Sequence, residues 1–132
     1  MAADRDKLKM NGILFFCHGA RAPSWRAPFD AIVAQLRQER PQALVELGFL
    51  EMMSPDFLTA AQILISQGAN HIDVIPLFLA PGSHTQRDLP ELIAQAQTRW
   101  PQLAFSVAPT LTESATLRAA IVAAALAGTC TA

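Results

Sequence analysis

Four short apolar runs, each followed by a stretch with helical spacing, constrain the fold of this chain more than any other feature. The first, "GILFFC" at 12–17, is aromatic and branched and stops at Gly19, as a strand buried on both faces does. Equivalent runs follow at 43–50 ("ALVELGFL"), 71–79 ("HIDVIPLFL") and 103–108 ("LAFSVA"). Between them the apolar positions change to a period near 3.6. Phe29, Ile32, Val33 and Leu36 form one stripe, with Ser24 as its cap, Pro28 in the first turn and Pro41 as the stop. Phe57, Leu58, Ala61, Leu64 and Ile65 form the next, with Ser54 as cap, Pro55 at the first helical position and Gly68 at the end. Leu89, Leu92, Ile93 and Ala96 make a third before Pro101, and Asp88 with Glu91 has the spacing of a capping box. A last helix is expected from about Thr112 to Ala127, closed by Gly128.

Strands and helices that alternate through short connections predict an α/β domain with a four-stranded parallel sheet, helices on both faces and right-handed crossovers. A flavodoxin-like single lobe fits that pattern. Its expected extent is 11–128, between a flexible N-terminus at 1–10 and a short tail at 129–132. With 132 residues, 52% of them apolar and 16% charged, such a lobe can bury a core without staples. The net charge of −1 and the lack of a basic cluster beyond "RDKLK" argue against a nucleic-acid partner. Cys17 and Cys130 make neither a disulfide framework nor a CxxC pair, which suits a reducing, cytoplasmic setting. The N-terminus is too polar for a signal peptide, and the longest apolar run, "AAIVAAALA" at 119–127, is about half a membrane span, so no membrane partner is expected.

Polar residues interrupt the carboxyl ends of the strands at a regular interval. His18 and Glu51 are 33 residues apart, and so are Glu51 and His84. One strand-helix unit has about that length, so the spacing predicts all three side chains at the edge where open α/β sheets bind ligands. Two imidazoles and a carboxylate meeting there suit a divalent transition metal or proton transfer near neutral pH. A lone histidine at a strand end is more often a capped or solvated loop residue, and it is the joint placement of His18 and His84 that points to function; Glu51 could simply favour the positive end of the next helix. Arg21, Arg26 and Arg87 lie in the histidine-bearing loops, where guanidinium groups could hold substrate carboxylates or face solvent. Cys17 alternates with His18 and is expected in the core, while His71 falls at the opposite end of its strand as a structural residue. "HGARAPSW" has one glycine rather than a phosphate-loop pattern, and neither Ser24 nor Ser83 sits in GxSxG.

Three stretches, "LFFCHGARAPSW", "LGFLEMMSPDF" and "VIPLFLAPGSHTQRDLP", carry a resemblance to the class II chelatases, specifically the short sirohydrochlorin chelatases of the CbiX/SirB type. The similarity covers about residues 11–127. It implies insertion of cobalt, ferrous iron or nickel into sirohydrochlorin or a related tetrapyrrole, with the metal as substrate and no prosthetic group. His18 and His84 would be the metal-binding and proton-accepting pair, Glu51 their acidic partner, and Arg21, Arg26, Ser83 and Arg87 the contacts to substrate. Larger members hold the macrocycle between two such lobes, so the resemblance implies a homodimer whose second subunit supplies the other wall. The apolar sides of the last helix are a candidate surface. Ala20 departs from the serine usual in the family, which removes a possible hydrogen bond to a substrate carboxylate. A metal- or tetrapyrrole-binding protein without turnover, and a small-anion module at "GARAPS", are the competing readings.

Overall fold

A computed structural model describes residues 10–131, with only the backbone of His84 and of residues 129–131. The four apolar runs form strands β1 (Asn11–Cys17), β2 (Leu44–Phe49), β3 (His71–Pro76) and β4 (Ala104–Val107). The segments after them form helices α1 (Ala27–Glu39), α2 (Phe57–Ser66), α3 (Leu89–Arg99) and α4 (Ala115–Thr131). Every strand pair is parallel, in the order β2-β1-β3-β4. The winding reverses after β2, so right-handed crossovers put α1 on one face and α2 and α3 on the other.

Two apolar clusters record that division. Leu14, Phe16, Phe57, Leu64, Ile72, Val74 and Leu89 are buried under α2 and α3, whereas Phe15, Cys17, Val33, Val45, Leu47 and Phe49 are buried under α1. Close approach on the α2 side needs a glycine in β2. A Cβ at Gly48 would lie 3.0 Å from the Leu14 side chain and 3.3 Å from the Phe57 backbone. Burial of each large side chain contributes roughly 1.5–3 kcal/mol, so Phe16 and Phe57, packed edge to face at 5.6 Å, are major anchors. Cys17 is fully buried, and that burial pushes its thiol up to about 12, which makes it an inert core residue as expected.

Several boundaries differ from the sequence expectation for local reasons. β3 stops at Pro76 because Phe78 and Leu79 turn aside and offer their carbonyls to the amides of Leu111 and Thr112. Ser24 caps nothing: it lies inside a 3-10 turn, Pro23–Arg26, that leads into α1. Asp56 rather than Ser54 caps α2, since Asp56 is the extended residue before the helix and its Oδ1 accepts from the Thr59 amide at 2.9 Å. That bond holds the Asp56 carboxyl below its ordinary range. The expected Asp88–Glu91 box does not form, because Asp88 is already helical at the end of a π-helical turn, His84–Asp88. A capping box forms instead at Thr110 and Glu113, ahead of α4. The Met10 carbonyl accepts from the amides of Asn70 and His71, and its own amide donates to Asn70 Oδ1 at 2.8 Å, so Met10 is held at the sheet; the rest of the expected N-terminal segment, residues 1–9, lies outside the described residues. α4 continues through Thr131, past the expected end at Gly128. Among the described residues no helix is long and apolar enough to cross a membrane.

Candidate active site at the carboxyl edge of the sheet

Past the last paired residues, Cys17 and Phe49, the parallel hydrogen-bond ladder between β1 and β2 runs on for two steps. Leu50 donates to the Cys17 carbonyl at 2.8 Å and Glu51 to the His18 carbonyl at 3.2 Å. His18 and Glu51 are therefore neighbours across the sheet edge because the backbone holds them so. The turn that follows is sterically exacting. Gly19 has φ +91°, and a Cβ there would sit 1.8 Å from the Glu51 carbonyl oxygen. Met52, with φ +67°, occupies the left-handed region that a side chain rarely adopts, and Met53 closes the turn by donating to the Glu51 carbonyl at 2.8 Å.

The His18 ring is half-buried, and contacts with Gly19 and Phe78 help to orient it. Its Nδ1 lies 3.2 Å from the Gly19 carbonyl, which can only accept, so the contact assigns the proton of the neutral ring to Nδ1. The lone pair then falls on Nε2, the nitrogen for a metal or a proton. Phe78 packs edge to face with the ring at 6.4 Å and, on its other side, with Phe16 at 5.7 Å. Phe78 thus links His18 to the buried core. The sequence pattern hides this residue, because "LFL" reads as the end of a strand, whereas Gly19 reads from sequence both as a strand stop and as a residue that keeps bulk away from the site.

The remaining expected site residues are placed differently. Glu51 is exposed beside His18. The backbone of His84 opens the π-helical turn after the exposed segment Pro81–Ser83, with the Gln86 amide bonded to the Gly82 carbonyl at 2.9 Å; the His84 side chain lies outside the described residues. Ser83, Arg21 and Arg87 are exposed, and Arg87 faces Asp88 only loosely at 3.8 Å. Arg26 is engaged elsewhere. Its guanidinium pairs with Asp30, donates to the Ser54 carbonyl at 2.9 Å and lies 4.8 Å over the Phe49 ring, so it clamps the loop after β2 onto α1. Ala20 is half-buried next to the turn. Among the described residues no three His, Cys, Asp or Glu side chains form a metal-holding cluster. The site edge is bordered by two exposed apolar side chains, Met52 on the β2 loop and Leu79 on the β3 loop. At the opposite end of the sheet His71 meets Asp73 at 3.0 Å and Ser106 at 2.9 Å. Both contacts fall on Nε2, so the set cannot relay a proton from a nucleophile through the ring to an acid.

Known proteins resemble the chain across this same region. A profile of the CbiX family matches residues 12–126. A sirohydrochlorin cobaltochelatase of Saccharolobus islandicus is 39% identical over 84 residues, which is 64% of this chain and 64% of that protein. A sirohydrochlorin ferrochelatase of Priestia megaterium is 31% identical over 94 residues, which is 71% of this chain and 35% of that protein. The chain thus spans less than two-thirds of the length of either relative. The crystal structure of a putative cobalamin (vitamin B12) biosynthesis CbiX protein from Marinobacter aquaeolei VT8 matches with a TM-score of 0.79 over 92% of this chain and 99% of that one. At 22% identity that likeness speaks for the fold.

Proposed function

The chain belongs to the CbiX family, and from that premise we propose that it inserts a divalent metal, cobalt, ferrous iron or nickel, into a sirohydrochlorin-type tetrapyrrole. The observation that carries the reading is the built edge at His18: a ring fixed by the Gly19 carbonyl and by Phe78, beside Glu51, between the exposed apolar side chains of Met52 and Leu79. The names of the two curated relatives support the substrate class and both cobalt and iron.

In this reading a flat macrocycle lies against Met52 and Leu79, and exposed Arg21, Arg87 and Ser83 hold its carboxylates. Metal insertion exchanges two pyrrole N–H protons for one divalent ion, so the site must strip water from the ion and accept two protons. His18, through Nε2, and His84 bind the ion and take up protons, with Glu51 as their acidic partner. Arg26 serves by clamping the loop that carries Glu51. Imidazole and carboxylate accept cobalt, nickel and ferrous iron alike, so metal choice follows the general divalent order and supply. The partner is a second copy of the chain, which closes the open side of the macrocycle.

Purified protein mixed with sirohydrochlorin and Co(II), Fe(II) or Ni(II), followed by visible absorption, tests the reading. Acceleration over the uncatalysed rate is expected, with a loss of about 100-fold in His18→Ala and His84→Ala. An unchanged rate in both variants would sink it, and stoichiometric binding without metallation would select the binding-protein alternative to which Ala20 points.

A further inference from the structure

The loop after β2 holds one side chain in an unfavourable backbone conformation without burying it. Met52, at φ +67°, is the one non-glycine residue with positive φ among the described residues. It stands at the centre of a tight turn, which Met53 closes by donating to the Glu51 carbonyl, two residues back, at 2.8 Å. Three-residue turns with a positive central φ are rare and strained. The turn also sends two adjacent methionines opposite ways. Met53 packs against the apolar cluster under α1, whereas Met52 is 58% exposed.

Packing accounts for the turn but not for the residue that makes it. Reversing the chain and burying Met53 require a positive φ at position 52, and glycine supplies one without steric penalty. The other half of this sheet edge uses that solution, since Gly19 sits at φ +91° against the Glu51 carbonyl. Position 52 instead carries a long apolar side chain that stays largely in solvent. Strain that no packing offsets points to a side chain that acts on something outside the fold. Met52 is placed to do so. Its neighbour Glu51 donates its amide to the His18 carbonyl at 3.2 Å, and Leu79, 66% exposed, borders the same edge from the β3 segment.

We infer that Met52 is a specificity residue: the strained turn presents its side chain to the flat apolar face of the tetrapyrrole, and affinity for the ring is set there separately from affinity for the metal. The inference rests on the chelatase reading above and adds how the site selects its ring. Side-chain chemistry favours the ring face over the ion as the contact. Methionine is unbranched and polarizable, so it settles readily on a π surface. Its sulfur is a soft donor, whereas the imidazole and carboxylate at the same edge already suit cobalt, nickel and ferrous iron. The turn fixes the root of the side chain through the Met53 bond and the close approach of Gly19, and the outer torsions stay free to match the ring.

Three measurements on Met52→Gly, Met52→Gln and Met52→Leu test this: urea unfolding, titration of metal-free protein with sirohydrochlorin, and metallation with ring and Co(II) concentrations varied separately. Met52→Gly relieves the strained φ, so its unfolding midpoint should equal or exceed that of wild type while its Kd and KM for sirohydrochlorin rise about tenfold or more. Met52→Gln keeps the length of the side chain but not its apolar surface, and should show a similar rise. Met52→Leu restores an apolar side chain and should recover most of the loss. The KM for Co(II) should move less than about twofold in all three. Wild type that neither binds nor metallates sirohydrochlorin would overturn this inference together with the chelatase reading. With wild type active, unchanged ring affinity in the Gly and Gln variants would overturn the inference alone. So would a Co(II) KM that rises while ring affinity holds, or a Met52→Gly chain that unfolds at lower urea in step with its loss of activity.

Discussion

The segments after β1 and after β3 each bring a histidine to the same edge of the sheet, and they are built in opposite ways. The β1 loop is locked to the β2 loop by ladder bonds and by the near-contact of Gly19 with the Glu51 carbonyl, and its histidine is braced by Phe78. The β3 segment leaves the sheet at Pro76, runs exposed through Leu79–Ser83 and presents His84 on a π-helical turn. One side is fixed before any substrate arrives, while the other is held at its ends by the Phe78 and Leu79 carbonyls and by the Gly82–Gln86 bond. In the proposed reading, a site that admits a metal and a large flat ring would gain from that division, with His18 fixed in position and the β3 segment left to receive the substrate.

Glycine substitutions break the comparison most sharply. Gly19→Ala forces a Cβ onto a backbone oxygen at a positive φ and should cost at least about 3 kcal/mol in denaturant unfolding. Gly82→Ala meets nothing within 4 Å and should change stability by less than about 1 kcal/mol. Equal effects would show that the two loops are not built differently. The arginines follow next. Arg26→Ala removes a clamp and should cost about 1.5 kcal/mol. Arg87→Ala, at an exposed site, should leave stability within about 0.5 kcal/mol and instead raise KM for the tetrapyrrole in the chelatase assay. A KM effect confined to Arg26 would reverse their roles.

A smaller effect concerns the cap beneath the rigid side. Asp56→Ala should destabilise by about 1 kcal/mol. Because the folded state lowers the Asp56 pKa, the carboxylate contributes its stability above the ordinary aspartate value and loses it as pH falls below about 3.9 through the lower folded value. The difference between wild type and Asp56→Asn in thermal unfolding should therefore shrink over that acid range. A constant difference from pH 7 to pH 3 would mean that its charge is not what caps α2.

Much of this was legible in the chain itself, and the misses have identifiable causes. The run "LFL" at 77–79 is apolar enough for a strand, but a strand needs a partner in register, and the amides of Leu111 and Thr112 take its carbonyls elsewhere. The equal steps of 33 residues from His18 to Glu51 and on to His84 suggested equivalent places on three strands. In the structure His18 and Glu51 do follow strand ends directly, while His84 lies eight residues beyond Pro76 on a helical turn, so the second step matches in length without matching in position. Arg26 had the right loop for a substrate anchor, and only packing reveals that its donors face Asp30 and Ser54.

Alternating apolar runs, proline and glycine stops and helical stripes determined the element order and the parallel sheet, because those signals are local and reflect the backbone's own hydrogen-bonding and steric rules. They also sent His18 and Glu51 to one edge, since a parallel α/β chain returns each strand end to the same side. Tertiary structure alone decided which residues hold those groups in place. The Phe78 ring against His18, the Glu51 carbonyl over Gly19 and the Arg26 clamp on the loop after β2 all depend on contacts between segments far apart in the chain, and no local pattern encodes such contacts.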